Sequence, residues 1–171
     1  VPDSSFYGCT ALETVNFNGV TTIGENAFYN CKALTKLELP DTLTIGKSAF
    51  SGCSAVTEVN MSKVETIEAS AFASIKNEVH VTAGMETPPE VDGTPFANAL
   101  AGSTLTVPAG TLEKYLPDTQ IGACLTDSSD TCWAKSKLQV VDNGYVTLTY
   151  TDTLKYPVPK YQILKKGQSI G

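Results

Sequence analysis

Arginine is missing from this chain: all twelve cationic side chains are Lys, set against eighteen Asp and Glu for a net charge of −6. Phosphate recognition favours the planar guanidinium fork and a net basic face, so nucleic acid is not an expected partner. Histidine occurs once, as His80, and the five cysteines include no C-x-x-C pair, so the familiar zinc-ligand spacings are absent. No stretch approaches the ~18 consecutive apolar residues that a membrane-spanning helix requires. Charged residues make up 18% of the chain, yet 42% is hydrophobic, enough for a sizeable core rather than disorder. No signal peptide is visible, but the chain begins at Val1 rather than Met, so that absence carries little weight.

Charge is also unevenly spread. Residues 1–131 carry 6 Lys against 16 acids (−10), and residues 132–171 carry 6 Lys against Asp142 and Asp152 (+4). A sign change of that size marks a change of structural unit near residue 131.

What the chain does have is a repeat. Phe6, Phe28, Phe50 and Phe72 lie 22 residues apart without a gap, as do Cys9, Cys31, Cys53 and Ile75. Ile23, Ile45 and Ile67 form a third column, with Val1 in the same slot one copy earlier; Val15, Leu37, Val59 and Val81 form a fourth. Such self-similarity defines a solenoid, in which each unit buries its apolar face only by stacking on its neighbours. Leu12–Phe17, Leu34–Leu39 and Val56–Met61 alternate apolar and polar residues, the pattern of short parallel strands with one buried face. The returning segment, with Ala27, Phe28 and Cys31, is spaced for a short helical turn or an irregular stretch on the convex side, and Gly24 and Gly46 suit an unusual backbone angle there. A looser fifth copy carries Phe96, 24 residues after Phe72, its extra residues falling in Thr87-Pro88-Pro89. The repeats end near Pro108-Ala109-Gly110, before a helical turn capped by Thr111. This gives a solenoid of about five units over 1–116, a polar loop over 117–132 and a C-terminal element over 133–171. Because Val1 falls in mid-repeat, the native protein is expected to continue upstream or to have been trimmed.

The unit Ile23-Gly24-Glu25-Asn26-Ala27-Phe28-Tyr29-Asn30-Cys31-Lys32-Ala33-Leu34, matched again from Ile45 to Val56, resembles the BspA-like leucine-rich-repeat family. The closing Leu105–Tyr115 is similar to the way many members end their arrays, whereas Glu68 and Ile75 depart from the pattern and the tail after residue 116 does not match. The resemblance implies a leucine-rich-repeat solenoid (α/β) and a bacterial surface or secreted protein. Its better-understood members are adhesins for host or bacterial surfaces, so it also implies a protein or glycan partner at a cell surface or in the extracellular matrix.

The period also reassigns the residues that first invite a chemical reading. Cys9, Cys31 and Cys53 share a column with Ile75, so that slot reads as apolar core. Cys124 and Cys132 flank a loop rich in Asp, Ser and Thr, and a disulfide would close that loop if the protein is exported. His80 aligns with Thr14, Lys36 and Glu58 in an outward column, with no Ser or Cys near it in a nucleophile motif. Acids are numerous enough for a glycoside-hydrolase pair, yet Glu13, Glu38, Glu58, Glu65 and Glu68 fall in slots that read as solvated. A non-enzymatic protein is expected, with no cofactor and no metal.

A partner would contact the outward columns of the concave strands: Thr14, Lys36, Glu58 and His80, beside Asn16, Glu38, Asn60 and Thr82. The alternative is a spacer that displays another module, these columns then being merely solvated strand faces, with Lys36 balancing Glu38 and Glu58 across strands. In the C-terminal element, Leu138–Val141 and Tyr145–Tyr150 flank Asn143-Gly144, a favoured hairpin connection. A small β element of this kind would cap the open edge of the array; the start of another small β domain is the other reading.

Overall fold

A computed structural model describes residues 1–92, 95–96, 103–115, 139–142 and 147–148. Two parallel ladders run through it. The longer strands are β2 (Lys36–Leu39), β4 (Glu58–Met61), β6 (His80–Ala83) and β8 (Thr104–Val107), and the two-residue strands are β1 (Thr22–Ile23), β3 (Thr44–Ile45), β5 (Thr66–Ile67) and β7 (Glu90–Val91). The short strands make a sheet in the order β1-β3-β5-β7. The long ones make a sheet in the order β2-β4-β6-β8, extended by β9 (Gln139–Asp142), parallel to β8, and by β10 (Thr147–Leu148), antiparallel to β9. Register follows the sequence period: Lys36 pairs with Glu58, Glu58 with His80 and His80 with Thr104. The molecule is a parallel β-solenoid.

Its core is the set of columns that the repeat generates. Phe28, Phe50, Phe72 and Phe96 are buried and stack nearly parallel, with successive centroids 5.3, 5.5 and 4.7 Å apart. Phe17 meets Phe28 and Phe50 edge-on at 5.4 and 5.9 Å. Offset stacks and edge contacts both suit the ring quadrupole. Leu37, Val59, Val81 and Leu105 form a buried column beneath the long sheet, and Ile23, Ile45 and Ile67 another beneath the short one.

Four expectations are corrected. The returning segments are hydrogen-bonded turns rather than helix, and Leu112–Tyr115 (α1) is the one α-helix among the described residues. The cause is a pair of left-handed positions in each of the first four copies: Ser4, Asn26, Ser48 and Ser70 lie at φ 54 to 58°, and Gly8, Asn30, Gly52 and Ser74 at 58 to 75°. Two positive-φ residues so close together interrupt any right-handed turn.

Gly24 and Gly46 do not take a positive φ; they are glycine because adjacent turns approach closely. A Cβ on Gly46 would lie 2.8 Å from the carbonyl carbon of Gly24 and 2.9 Å from the Glu25 nitrogen.

Leu12–Phe17 forms no strand, although Phe17 is buried. Asn16 Oδ1 accepts from the Asn18 N–H at 2.9 Å, and Gly19 sits at φ 74°; this local turn competes with ladder pairing.

Phe6 and Cys9, expected in the core columns, are exposed, and Phe6 stacks on Phe28 of the following copy. In the last copy Thr111 precedes α1, and its hydroxyl donates back to the Pro108 carbonyl at 2.8 Å.

Candidate functional site

Alternation along each long strand separates the two faces. Leu37 and Leu39 point inward from β2 while Lys36 and Glu38 are exposed; Val59 and Met61 point inward from β4 while Glu58 is exposed and Asn60 half-buried, and Val81 and Ala83 point inward from β6 while His80 and Thr82 are exposed. Strands stacked at ~4.8 Å bring equivalent side chains together. Lys36 Nζ lies 2.9 Å from both Glu38 Oε1 and Glu58 Oε2, and Asn60 Nδ2 donates to Glu38 Oε1 at 2.9 Å. These four residues therefore form one hydrogen-bonded cluster. His80 Nδ1 lies 3.0 Å from Thr104 Oγ1 and continues the column. Thr82 is exposed on the adjacent column. Thr14 and Asn16 are exposed as well but precede the first long strand, so they stand apart from this array.

The electrostatics follow from the contacts. Hydrogen bonds donated to Glu58 and then to Glu38 hold the Lys36 ammonium above its usual range. Lys36, followed by Asn60, holds the Glu38 carboxyl below its own. All three charged groups are about half exposed, so water screens them and the pairs contribute little to stability.

Cys31 and Cys53 are buried free thiols, as their column implies. Their slot is not purely apolar, however. Cys31 Sγ donates to the Phe6 carbonyl and Cys53 Sγ to the Phe28 carbonyl, each at 3.1 Å. Burial is the main reason the Cys53 thiol is pushed up to about 12, with Cys31 nearby adding to it. Cys124 and Cys132 lie outside the described residues, as does the Asn143-Gly144 connection.

Two features escaped the pattern-based reading. Lys63 Nζ pairs with Asp41 Oδ1 at 2.8 Å, and Asp41 Oδ2 accepts from the Gly19 N–H at 3.2 Å, linking three successive connections after the strands. Their common spacing of 22 residues was the available signal. An open cavity of about 530 Å³ lies against Val64, Glu65, Met85, Glu86, Pro88 and Glu90, where the extra residues of the fifth copy bulge. Among the described residues, no group of three or more His, Cys, Asp and Glu is placed to hold a metal ion. No helix among them is long and apolar enough to cross a membrane.

A β-solenoid of 22-residue turns that presents ordered polar columns defines a repeat protein of the leucine-rich class. The BspA type leucine-rich repeat region matches residues 1–98 in six copies, and the chain belongs to that family. No curated protein and no solved structure matches it.

Proposed function

We propose that this protein is a non-enzymatic binding protein of a cell surface or the extracellular space, engaging a protein or glycan through the outward face of its long sheet. One observation carries the reading. The β2–β4–β6–β8 register sets Lys36, Glu58, His80 and Thr104 side by side, next to Glu38, Asn60, Thr82 and Thr106, while every alternate residue is in the core. Such a face can vary without disturbing the fold, and its many modest polar contacts suit an extended partner. Family membership supports the surface location, since repeats of this type are common in surface and secreted proteins.

The test is a screen of the full chain against glycan and matrix-protein arrays, followed by Lys36→Ala, Glu38→Ala and Thr82→Tyr on any ligand found. A binding face predicts a loss of about tenfold or more in affinity for at least one variant, with melting unchanged. If all three variants bind as the parent does, or no ligand is found, the repeats act as a spacer that displays another module.

A further inference from the structure

We propose that Asn18 is a self-modification site, at which the Gly19 backbone nitrogen attacks the Asn18 side-chain amide, and that Asp41 sets the rate by holding the Gly19 N–H. Asn18 and Gly19 are exposed. They form the centre of a tight turn closed by the Val20 N–H on the Phe17 carbonyl at 3.0 Å, with Gly19 at φ 74°. The connection is a surface feature of the array itself: Ser62 and Lys63, in the same slots two copies on, are exposed although copies flank them on both sides. Glycine carries no Cβ to shield its nitrogen, and Asn18 and Asn143 are the two asparagines of the chain that precede one.

The reaction balances with water alone. The Gly19 nitrogen gives its proton to solvent hydroxide and bonds to Asn18 Cγ, and the Cγ–Nδ2 bond breaks with release of ammonia. Water then opens the five-membered imide at either carbonyl, leaving aspartate or, with the main chain rerouted through the side chain, isoaspartate. Either product puts a carboxylate where a neutral amide stood. Restraint comes from the next two copies. The Gly19 N–H donates to Asp41 Oδ2 at 3.2 Å, and Asp41 Oδ1 is fixed by Lys63 Nζ at 2.8 Å. Asn16 Oδ1 holds the Asn18 N–H as well, at 2.9 Å. While the Asp41 bond stands, the nitrogen is not free to turn towards Cγ, and the carboxylate opposes the negative charge that attack places on it. Lys63, followed by the Gly19 N–H, keeps the Asp41 carboxyl below its usual range. Asp41 is therefore too weak a base to take an amide proton, and it slows the reaction instead of assisting it.

The experiment incubates the full chain and Asp41→Ala in mildly alkaline buffer and follows conversion of each asparagine by peptide mapping, with isoaspartate as the signature product. Asp41→Ala should speed conversion at Asn18 about three- to tenfold, the effect of losing one hydrogen bond. Asn143 has the same neighbour and serves as the internal reference, with an unchanged rate. An unchanged or slower rate at Asn18 would overturn the proposal. So would equal acceleration at Asn18 and Asn143, which would report general loosening. The parent supplies a second measurement that needs no variant: Asn18 should convert faster in denaturing urea than in the folded chain, and equal rates there would also overturn the assignment.

Discussion

At the scale of single residues, the cysteine column separates packing from polarity. Cys53 fills a slot that Ile75 fills one copy later, so the position tolerates a branched aliphatic chain. What Cys53 adds is a donor to the Phe28 carbonyl, which otherwise accepts from the Cys31 N–H at 3.2 Å. Cys53→Ala removes both the donor and the volume, for a loss of about 1–2 kcal/mol. Cys53→Val keeps the volume and should lose less. A pH dependence accompanies this. Burial raises the folded thiol from its ordinary 9.0 to about 12, so the folded chain holds that proton after the unfolded chain has released it. Stability linked to Cys53 is therefore complete below about pH 9 and is lost as pH rises towards 12. The gap in urea midpoint between the parent and Cys53→Val should narrow from neutral pH to about pH 10.5. A constant gap would mean that the thiol is not shielded from water. Tyr115, also raised to about 12 by burial, shifts in the same sense but is common to both proteins.

Each turn is an element that uses glycine for one purpose and tolerates strain for another. Gly46→Ala places a methyl against the backbone of the preceding copy, which has no flexible side chain to yield. It should cost about 1–3 kcal/mol, as overpacking generally does. Ser48 lies two residues on at φ 54°, where a side chain is penalised by roughly 1–2 kcal/mol and glycine is not. Ser48→Gly should leave the urea midpoint unchanged or raise it, whereas Ser48→Val should lower it. If Gly46→Ala proved harmless, the close approach of stacked backbones would not be what selects glycine there. These positions also mark how far the sequence could be read. Phe28, Phe50 and Phe72 name their column at once, because a core slot admits few residue types and the spacing never slips. Lys36, Glu38 and Glu58 can be set side by side from the sequence alone, because parallel register copies sequence spacing into space. The short ladder was less visible, since Thr22–Ile23 and its partners are two residues long and show no alternation. The missing first strand was concealed as well, for Leu12–Phe17 alternates like its successors, and only the local bond from Asn18 to Asn16 diverts it.

Across the whole molecule, stability passes from neighbour to neighbour, so where a contact lies in the stack should matter as much as its size. Phe50 stacks on Phe28 and Phe72 at 5.3 and 5.5 Å and is fully buried. Phe6 has the same side chain and the same slot but, among the described residues, stacks on Phe28 alone. Phe50→Ala should cost about 3–5 kcal/mol; Phe6→Ala, already exposed on one side, should cost about 1 kcal/mol or less on the basis of the apolar area removed. The spatial pattern is the sharper test. In an array held by nearest-neighbour contacts, weakening the middle loosens both flanks, while weakening an end loosens that end. Amide exchange of β2 and β3 on one side of Phe50, and of β4 and β5 on the other, should accelerate in Phe50→Ala, with little change at β8. In Phe6→Ala, acceleration should be confined to the turns bonded to residues 4–8, at Ser4, Phe6 and Gly8. Uniform acceleration from β2 to β8 in both variants would mean that the solenoid opens as one cooperative block, and that its energy is not a sum over adjoining turns.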